Sequence, residues 1–155
     1  MESITIRKAK PADIETLFEF EQGIASAERA FDPTLKAETY HYYDLKLMMK
    51  DPQVHLIVAE SNGRLIGSAY AKIEEAKPYL RHEYHAYLGF MYVIPEWRGK
   101  KINQMIMEEL KQWARSKGIS ELRLDVYLDN IVAVKAYEKS GFKKLLVNMR
   151  MSVDE

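Results

Sequence analysis

The sequence predicts an α/β fold in a single domain spanning 1–155, with a mixed, mostly antiparallel sheet, a parallel centre and helices on both faces. Three observations lead there. Two apolar, β-branched runs, His55 to Glu60 and Leu65 to Ile73, flank Ser61-Asn62-Gly63-Arg64, and Asn-Gly accepts the positive φ that a tight hairpin requires. Later, an apolar run from Tyr87 to Ile94, an amphipathic stretch from about Lys101 to Lys117 and an alternating run from Leu122 to Leu128 follow one another. Strand, helix, strand in that order implies a parallel crossover. Finally, 155 residues are enough for one domain with a core of its own.

The remaining elements follow in chain order. Ser3 to Lys8 alternates and is β-branched, as in a short strand, and Lys10-Pro11-Ala12-Asp13 ends it and opens a helix. Ile14, Leu17, Phe18 and Glu21 give that helix one apolar and one charged face. Phe31-Asp32-Pro33-Thr34 is a break, Leu35 to Lys50 is again helical in pattern, and Asp51-Pro52 closes it. The charged stretch Glu74 to Glu83, with Pro78, reads as a loop. Asp129-Asn130 caps a last helix from Ile131 to Ser140, Gly141 terminates it, and Phe142 to Met151 returns as a final strand.

Composition narrows the function. Lys plus Arg and Asp plus Glu are both 23, which gives no reason to expect nucleic acid or an anionic membrane as a partner. The absence of cysteine removes a disulfide framework, a thiolate zinc site and a cysteine nucleophile. No apolar run approaches the roughly 20 residues that span a bilayer, so a cytoplasmic protein is expected.

The most informative stretch is Val93-Ile94-Pro95-Glu96-Trp97-Arg98-Gly99-Lys100-Lys101-Ile102-Asn103-Gln104. The strand cannot continue helically through Pro95, and from Ile102 the apolar positions Ile102, Met105, Ile106, Leu110, Trp113 and Ala114 fall at helical spacing. A helix N-terminus directly after a strand offers free N–H groups and the positive end of the dipole, beside Arg98, Lys100 and Lys101. Such a turn is suited to a phosphate. Gly89, inside the preceding strand, is a candidate bulge or a packing glycine under a large neighbour.

Val93 to Lys100, then Leu124-Asp125-Val126, then Asn130, Ala133 and Tyr137-Glu138-Lys139-Ser140-Gly141-Phe142 together resemble the GCN5-related N-acetyltransferase family. The resemblance is closest over Tyr87 to Phe142. It implies two central strands that splay apart around acetyl-coenzyme A, with the pantetheine arm along the backbone of Met91, Tyr92 and Val93. The pyrophosphate would sit on the turn and first helical residues, here Arg98, Gly99, Lys100, Lys101, Ile102, Asn103 and Gln104. Asn130 and Tyr137, seven residues apart and so on one helix face, would also face the cofactor. The family commonly has small residues where this chain has Lys101 and Asn103.

By the same resemblance Tyr137 would protonate the departing thiolate, and Asp125 occupies the position of a glutamate base that often works through water. Glu83, His82 and His85 are rival bases. A bulge in the long strand would aim an amide at the acetyl oxygen. Tyr40, His41, Tyr42 and Tyr43, with Tyr79, Tyr84 and Tyr87, would border the acceptor pocket, and Glu74, Glu75 and Glu83 could attract a cationic amine. The implied function is acetyl-coenzyme A-dependent transfer to a primary amine of a small molecule or peptide, by direct attack on the thioester and without a metal. A homodimer is compatible with it. The alternative is a non-catalytic coenzyme A-binding or regulatory module of the same fold.

Overall fold

A computed structural model describes residues 3–154. The chain divides into two compact units, 1–125 and 126–155. The first contains β1 (Ile4–Lys8), α1 (Ile14–Glu28), α2 (Leu45–Lys50), β2 (Val54–Ser61), β3 (Arg64–Glu75), β4 (Tyr84–Val93), α3 (Ile102–Ser116) and β5 (Leu122–Arg123). The second contains α4 (Ile131–Lys139).

The strands form one sheet in the order β1-β2-β3-β4-β5, antiparallel except for the β4–β5 pair. The β2–β3 hairpin turns through Asn62 at φ +51° and Gly63 at φ +79°, the left-handed pair expected of Asn-Gly. Helices cover both faces. Paired residues share a face, so Gly67 and Val93 lie on one side and Ser68 and Tyr92 on the other. A Cβ on Gly67 would meet Ile106 of α3 at 3.3 Å, whereas one on Gly23 of α1 would meet the Tyr92 hydroxyl at 2.8 Å. Thus α3 packs on the Gly67 face and α1 on the Tyr92 face. Leu17, Ile57, Ile66, Leu88, Ile106 and Leu110 are fully buried in the resulting core.

Three expectations need correction. Leu35 to Lys50 is not one helix: only Leu45–Lys50 is helical, started by Asp44, whose carboxylate accepts the Leu47 N–H at 3.1 Å. Residues 36–43 are instead an irregular strap, because side chains of α1 and of its C-cap Arg29 take hydrogen bonds that a helix would have used. Arg29 donates to the carbonyls of Lys36 and Glu38, and Gln22 to that of Tyr40. The strand Leu122 to Leu128 shrinks to Leu122–Arg123, which pair with Ala86 and Tyr87 and have no further ladder along β4. The final strand from Phe142 to Met151 does not form among the described residues; Leu145, Leu146, Val147, Met149 and Met151 are exposed. An apolar alternation becomes a strand only where a neighbouring backbone completes its hydrogen bonds.

At the entry to α1, Arg7 of β1 bridges two acids. Its guanidinium donates to both Asp13 oxygens at 2.9 and 3.0 Å and to Glu60 of β2 at 3.1 Å. Asp13 also accepts the Lys10 N–H at 2.8 Å. Burial alone would raise the Asp13 carboxyl, but the Arg7 and Lys10 hydrogen bonds and the Arg7 charge outweigh it and hold it below the ordinary carboxylate range. A carboxyl depressed in the folded state stabilises the fold above its unfolded pKa, about 4, and that stabilisation is lost as pH falls through the folded value. Arg7→Met should therefore lower the thermal midpoint at pH 7, and the gap from the parent should narrow as pH falls below about 4. Thermal melts across this range check it; a gap that is constant with pH would contradict the assignment.

Candidate functional site

The strand-to-helix turn has the shape of an anion cradle. Pro95–Trp97 form a single 3-10 turn, Gly99 takes φ +78°, and Lys101 takes φ +67° immediately before α3. The left-handed conformation costs a residue with a Cβ about 1–2 kcal/mol, so Lys101 stores strain at a position where glycine would have none. The first carbonyl to accept within α3 is that of Lys101, from the Met105 N–H at 3.3 Å. The amides of Ile102, Asn103 and Gln104 therefore precede the helical ladder and point out of its N-terminus. Arg98 braces the turn from below: its Nε donates to the Val93 carbonyl at 2.9 Å and its guanidinium lies 5.6 Å from the centre of the Tyr92 ring. Lys100 lies over the Trp97 ring at 5.0 Å. The anion-binding capacity thus rests on backbone amides, with two of the three neighbouring cations, Arg98 and Lys100, lying over aromatic rings.

The strand leading into this cradle is broken in register. Ser68 faces Tyr92 and Tyr70 faces Gly89, so Ala69 is opposite both Phe90 and Met91. Phe90 adopts φ +55°, and its carbonyl accepts the hydroxyl of the fully buried Ser68 at 3.0 Å. The bulge expected at Gly89 therefore lies one residue later, and Gly89 has the other role: a Cβ there would come within 2.5 Å of the Tyr70 ring. Because β5 pairs only with Ala86 and Tyr87, the parallel strands part there, and among the described residues no strand pairs with Leu88 to Val93 along that edge. Met91, Tyr92 and Val93 thus lie on this edge, between the bulge and the turn.

On the α1 face of the sheet the structure gathers an aromatic and acidic cluster. Tyr70, Lys72 and Glu74 of β3 share that face with Gly89, Tyr87 and His85 of β4. The Tyr87 hydroxyl donates to Asp125 Oδ2 at 3.1 Å. Burial raises Tyr87, and the adjacent Asp125 charge adds to the shift. Burial, with the charges of Glu74 and Asp125, pushes Tyr70 up to about 12. Both tyrosines are therefore neutral donors near pH 7. Tyr43, from the strap, packs its ring 5.7 Å from that of Tyr70 and 4.9 Å from that of Phe90.

The rival bases separate. His85 Nε2 is 3.6 Å from Glu74 Oε1, and His85 Nδ1 is 3.3 Å from His82 Nε2, which makes a short polar chain beside Tyr87. Glu83 is exposed in the loop, and its carbonyl accepts from Ala76. Tyr79 is 82% exposed, and strand parity puts Tyr84 and Glu75 on the opposite face from His85 and Glu74. Tyr70 and Ser68 were absent from the sequence-based set; Tyr70 was missed because a tyrosine inside an apolar strand has the appearance of core.

In the second unit, Asn130 caps α4, its Oδ1 accepting the Ala133 N–H at 3.3 Å. Tyr137 follows two turns later on the same helix side, half-buried, with its ring 5.9 Å from Phe142. Gly141 at φ +105° ends the helix.

Comparison with known proteins shows the family. Residues 17–142 match the model of the acetyltransferase (GNAT) family. The chain belongs to that family. It is an N-acetyltransferase by this membership, as the motifs implied. Among its relatives are the IAA acetyltransferase of Azospirillum brasilense, 26% identical over 92% of this chain and 86% of that protein. Another is the spermidine N(1)-acetyltransferase of Thermoplasma acidophilum, 32% identical over 91% of this chain and 89% of its own length. In fold, the chain is similar to a predicted acetyltransferase crystallised with acetyl-CoA from Clostridium acetobutylicum, with a TM-score of 0.77, 18% identity and 97% of each chain covered.

The buried Ser68 hydroxyl holds the bulge at Phe90, within β4. Ser68→Ala should cost about 1–3 kcal/mol, the penalty for leaving the Phe90 carbonyl without its partner. Chemical denaturation measures it; a change below about 0.5 kcal/mol would show that the bulge does not depend on this bond.

Proposed function

We propose that the chain transfers an acetyl group from acetyl-coenzyme A to a primary amine of a small molecule or peptide, by direct attack on the thioester, with 1–155 acting as one domain. The observation that carries this reading is the unpaired edge of β4 from Leu88 to Val93, which runs straight into the left-handed turn and the amides of Ile102, Asn103 and Gln104. A thin polar chain ending in a pyrophosphate matches that combination: amide-rich strand edge first, anion cradle second. The spermidine-acetylating relative supports an amine as acceptor.

In this reading the backbone of Met91, Tyr92 and Val93 holds the pantetheine arm, and Gly99 to Gln104 hold the phosphates. Arg98 shapes the turn through Val93 rather than by reaching the phosphates, and Lys101 supplies by strain the conformation that a glycine would give freely. The acceptor lies on the Tyr70–Tyr87 face. There Asp125, oriented by the Tyr87 hydroxyl, takes the proton from the attacking nitrogen directly or through one water. The nitrogen lone pair forms the bond to the carbonyl carbon, and the carbon–sulfur bond then breaks. Tyr137 gives its hydroxyl proton to the leaving sulfur, with Asn130 on the same side of α4. His82, His85 and Glu74 form the alternative exit for the proton.

Steady-state thiol release across polyamines, amino sugars, free amino acids and peptide N-termini tests the proposal. Tyr137→Phe should lower kcat at least 10-fold while leaving the KM for acetyl-coenzyme A within about twofold, and Asp125→Asn should lower kcat more than His85→Gln does. If Tyr137→Phe turns over at the parental rate when chemistry limits, the acid is another group. Stabilisation by acetyl-coenzyme A without turnover on any amine would leave only the binding module.

A further inference from the structure

The strap 36–43 has no regular secondary structure, yet side chains of α1 and of its C-cap Arg29 hold it at Lys36, Glu38, Tyr40, His41, Tyr42 and Tyr43. Arg29 takes the carbonyls of Lys36 and Glu38 at 2.9 and 3.1 Å, and Gln22 takes that of Tyr40 at 2.8 Å. The central grip is Glu21, which is completely buried. One of its oxygens accepts the backbone N–H groups of both Tyr42 and Tyr43, at 2.9 and 3.1 Å, and the other lies 2.6 Å from His41 Nδ1. Glu21 and Gln22 are neighbours in α1, and Arg29, its C-cap, follows about two turns later. Glu21 itself interrupts an apolar line, Leu17, Glu21, Ala25, at four-residue spacing. A carboxylate on the buried stripe of an amphipathic helix carries a desolvation cost that persists only where hydrogen bonds offset it.

What this clamp positions is the wall of the acceptor face. Tyr43 follows immediately and packs between Tyr70 of β3 and Phe90, the left-handed residue of the β4 bulge. Tyr42 packs 5.6 Å from Tyr43 and shares a hydroxyl–hydroxyl contact of 3.1 Å with Tyr40. Fixing the Tyr42 and Tyr43 amides therefore fixes where three tyrosine rings stand relative to Tyr70 and the bulge.

We infer that Glu21 is a specificity-determining positioning residue: from inside the core it clamps the strap backbone, and so sets the shape of the tyrosine wall that selects the amine. Glu21 touches no reactant. The inference rests on the reading that the acceptor lies on the Tyr70–Tyr87 face, and its first test is independent of activity. In Glu21→Leu, which fills the buried volume without an acceptor, the amides of Tyr42 and Tyr43 should exchange with solvent at least 10-fold faster, with those of β3 within about twofold of the parent. Glu21→Gln keeps one carbonyl oxygen for both amides and should restore most of that protection. In kinetics, Glu21→Leu should raise the KM for the preferred amine at least fivefold and reorder the amine panel, with the KM for acetyl-coenzyme A within about twofold, and Glu21→Gln should return the parental order. Retained amide protection, a parallel rise in both KM values, or an unchanged order of amines would overturn the inference. Should Glu21→Leu not fold, Glu21→Asp, which keeps the charge but withdraws its oxygens from the strap, is read by the same two measurements with the same expected directions. A parent that acetylates no amine overturns the transferase reading instead, and amide exchange still decides whether the clamp exists.

Discussion

One hydrogen bond, from the buried Ser68 hydroxyl to the Phe90 carbonyl, marks the point on which the working part of this sheet depends. Without an extra residue on β4, the β3–β4 ladder would run unbroken from Tyr84 to Val93 and the strand would stay flat. With it, the register slips by one, Phe90 swings into a left-handed conformation, and the strand re-aims before it reaches the turn. The bulge is stabilised from both sides. Ser68 satisfies its carbonyl within the core, and the Tyr43 ring packs against the Phe90 side chain. A strained residue persists only where its surroundings over-determine it, and here they do.

The parting of β4 from β5 has a second consequence. Two residue pairs hold the parallel strands together, and past Tyr87 no strand pairs with that edge of β4 among the described residues. On an ordinary sheet such an edge invites a stray strand from another chain. Here the edge is short, is bent at Phe90 by the bulge and ends before Pro95, which leaves little length for such pairing. The tyrosines on the α1 face add a different chemistry. Tyr70 and Tyr87 hold their protons because they are buried and lie near Glu74 and Asp125, so this face combines phenol donors with carboxylates. That combination can accept hydrogen bonds from an ammonium group and offer an aromatic surface to its methylenes.

Much of the architecture was legible in the sequence because it is decided locally. Asn62-Gly63 specifies its own turn, Pro95 ends its strand, Asn130 and Gly141 bracket their helix, and the spacing from Ile102 to Ala114 admits only one buried face. The candidate cradle was legible for the same reason: it is one strand end, one glycine and one helix start. What was not legible depends on distant partners. Leu35 to Lys50 reads as one helix because of the apolar residues near its end, but Gln22 of α1 and its C-cap Arg29 take the carbonyls of residues 36, 38 and 40. Leu124 to Leu128 and Phe142 to Met151 have strand patterns, but no ladder completes them among the described residues. The bulge was expected one residue early because glycine attracted the assignment; Gly89 is there to make room for the Tyr70 ring, and the left-handed residue is a phenylalanine. Glu21, read from the sequence with the charged face of its helix, is instead fully buried, because hydrogen bonds from the distant strap satisfy its carboxylate.

The grip of α1 on the strap is almost entirely on main-chain atoms: three carbonyls and two amides, which every residue except proline can present. Side chains on the strap are therefore nearly free of duties in holding the loop, while the helix beneath carries that duty. Such a division lets the strap's side chains be exchanged one at a time with the loop's path unchanged. The chain thus separates the part that must be kept to hold the loop from the part that is free to vary, and it draws that line between one helix and the segment lying across it.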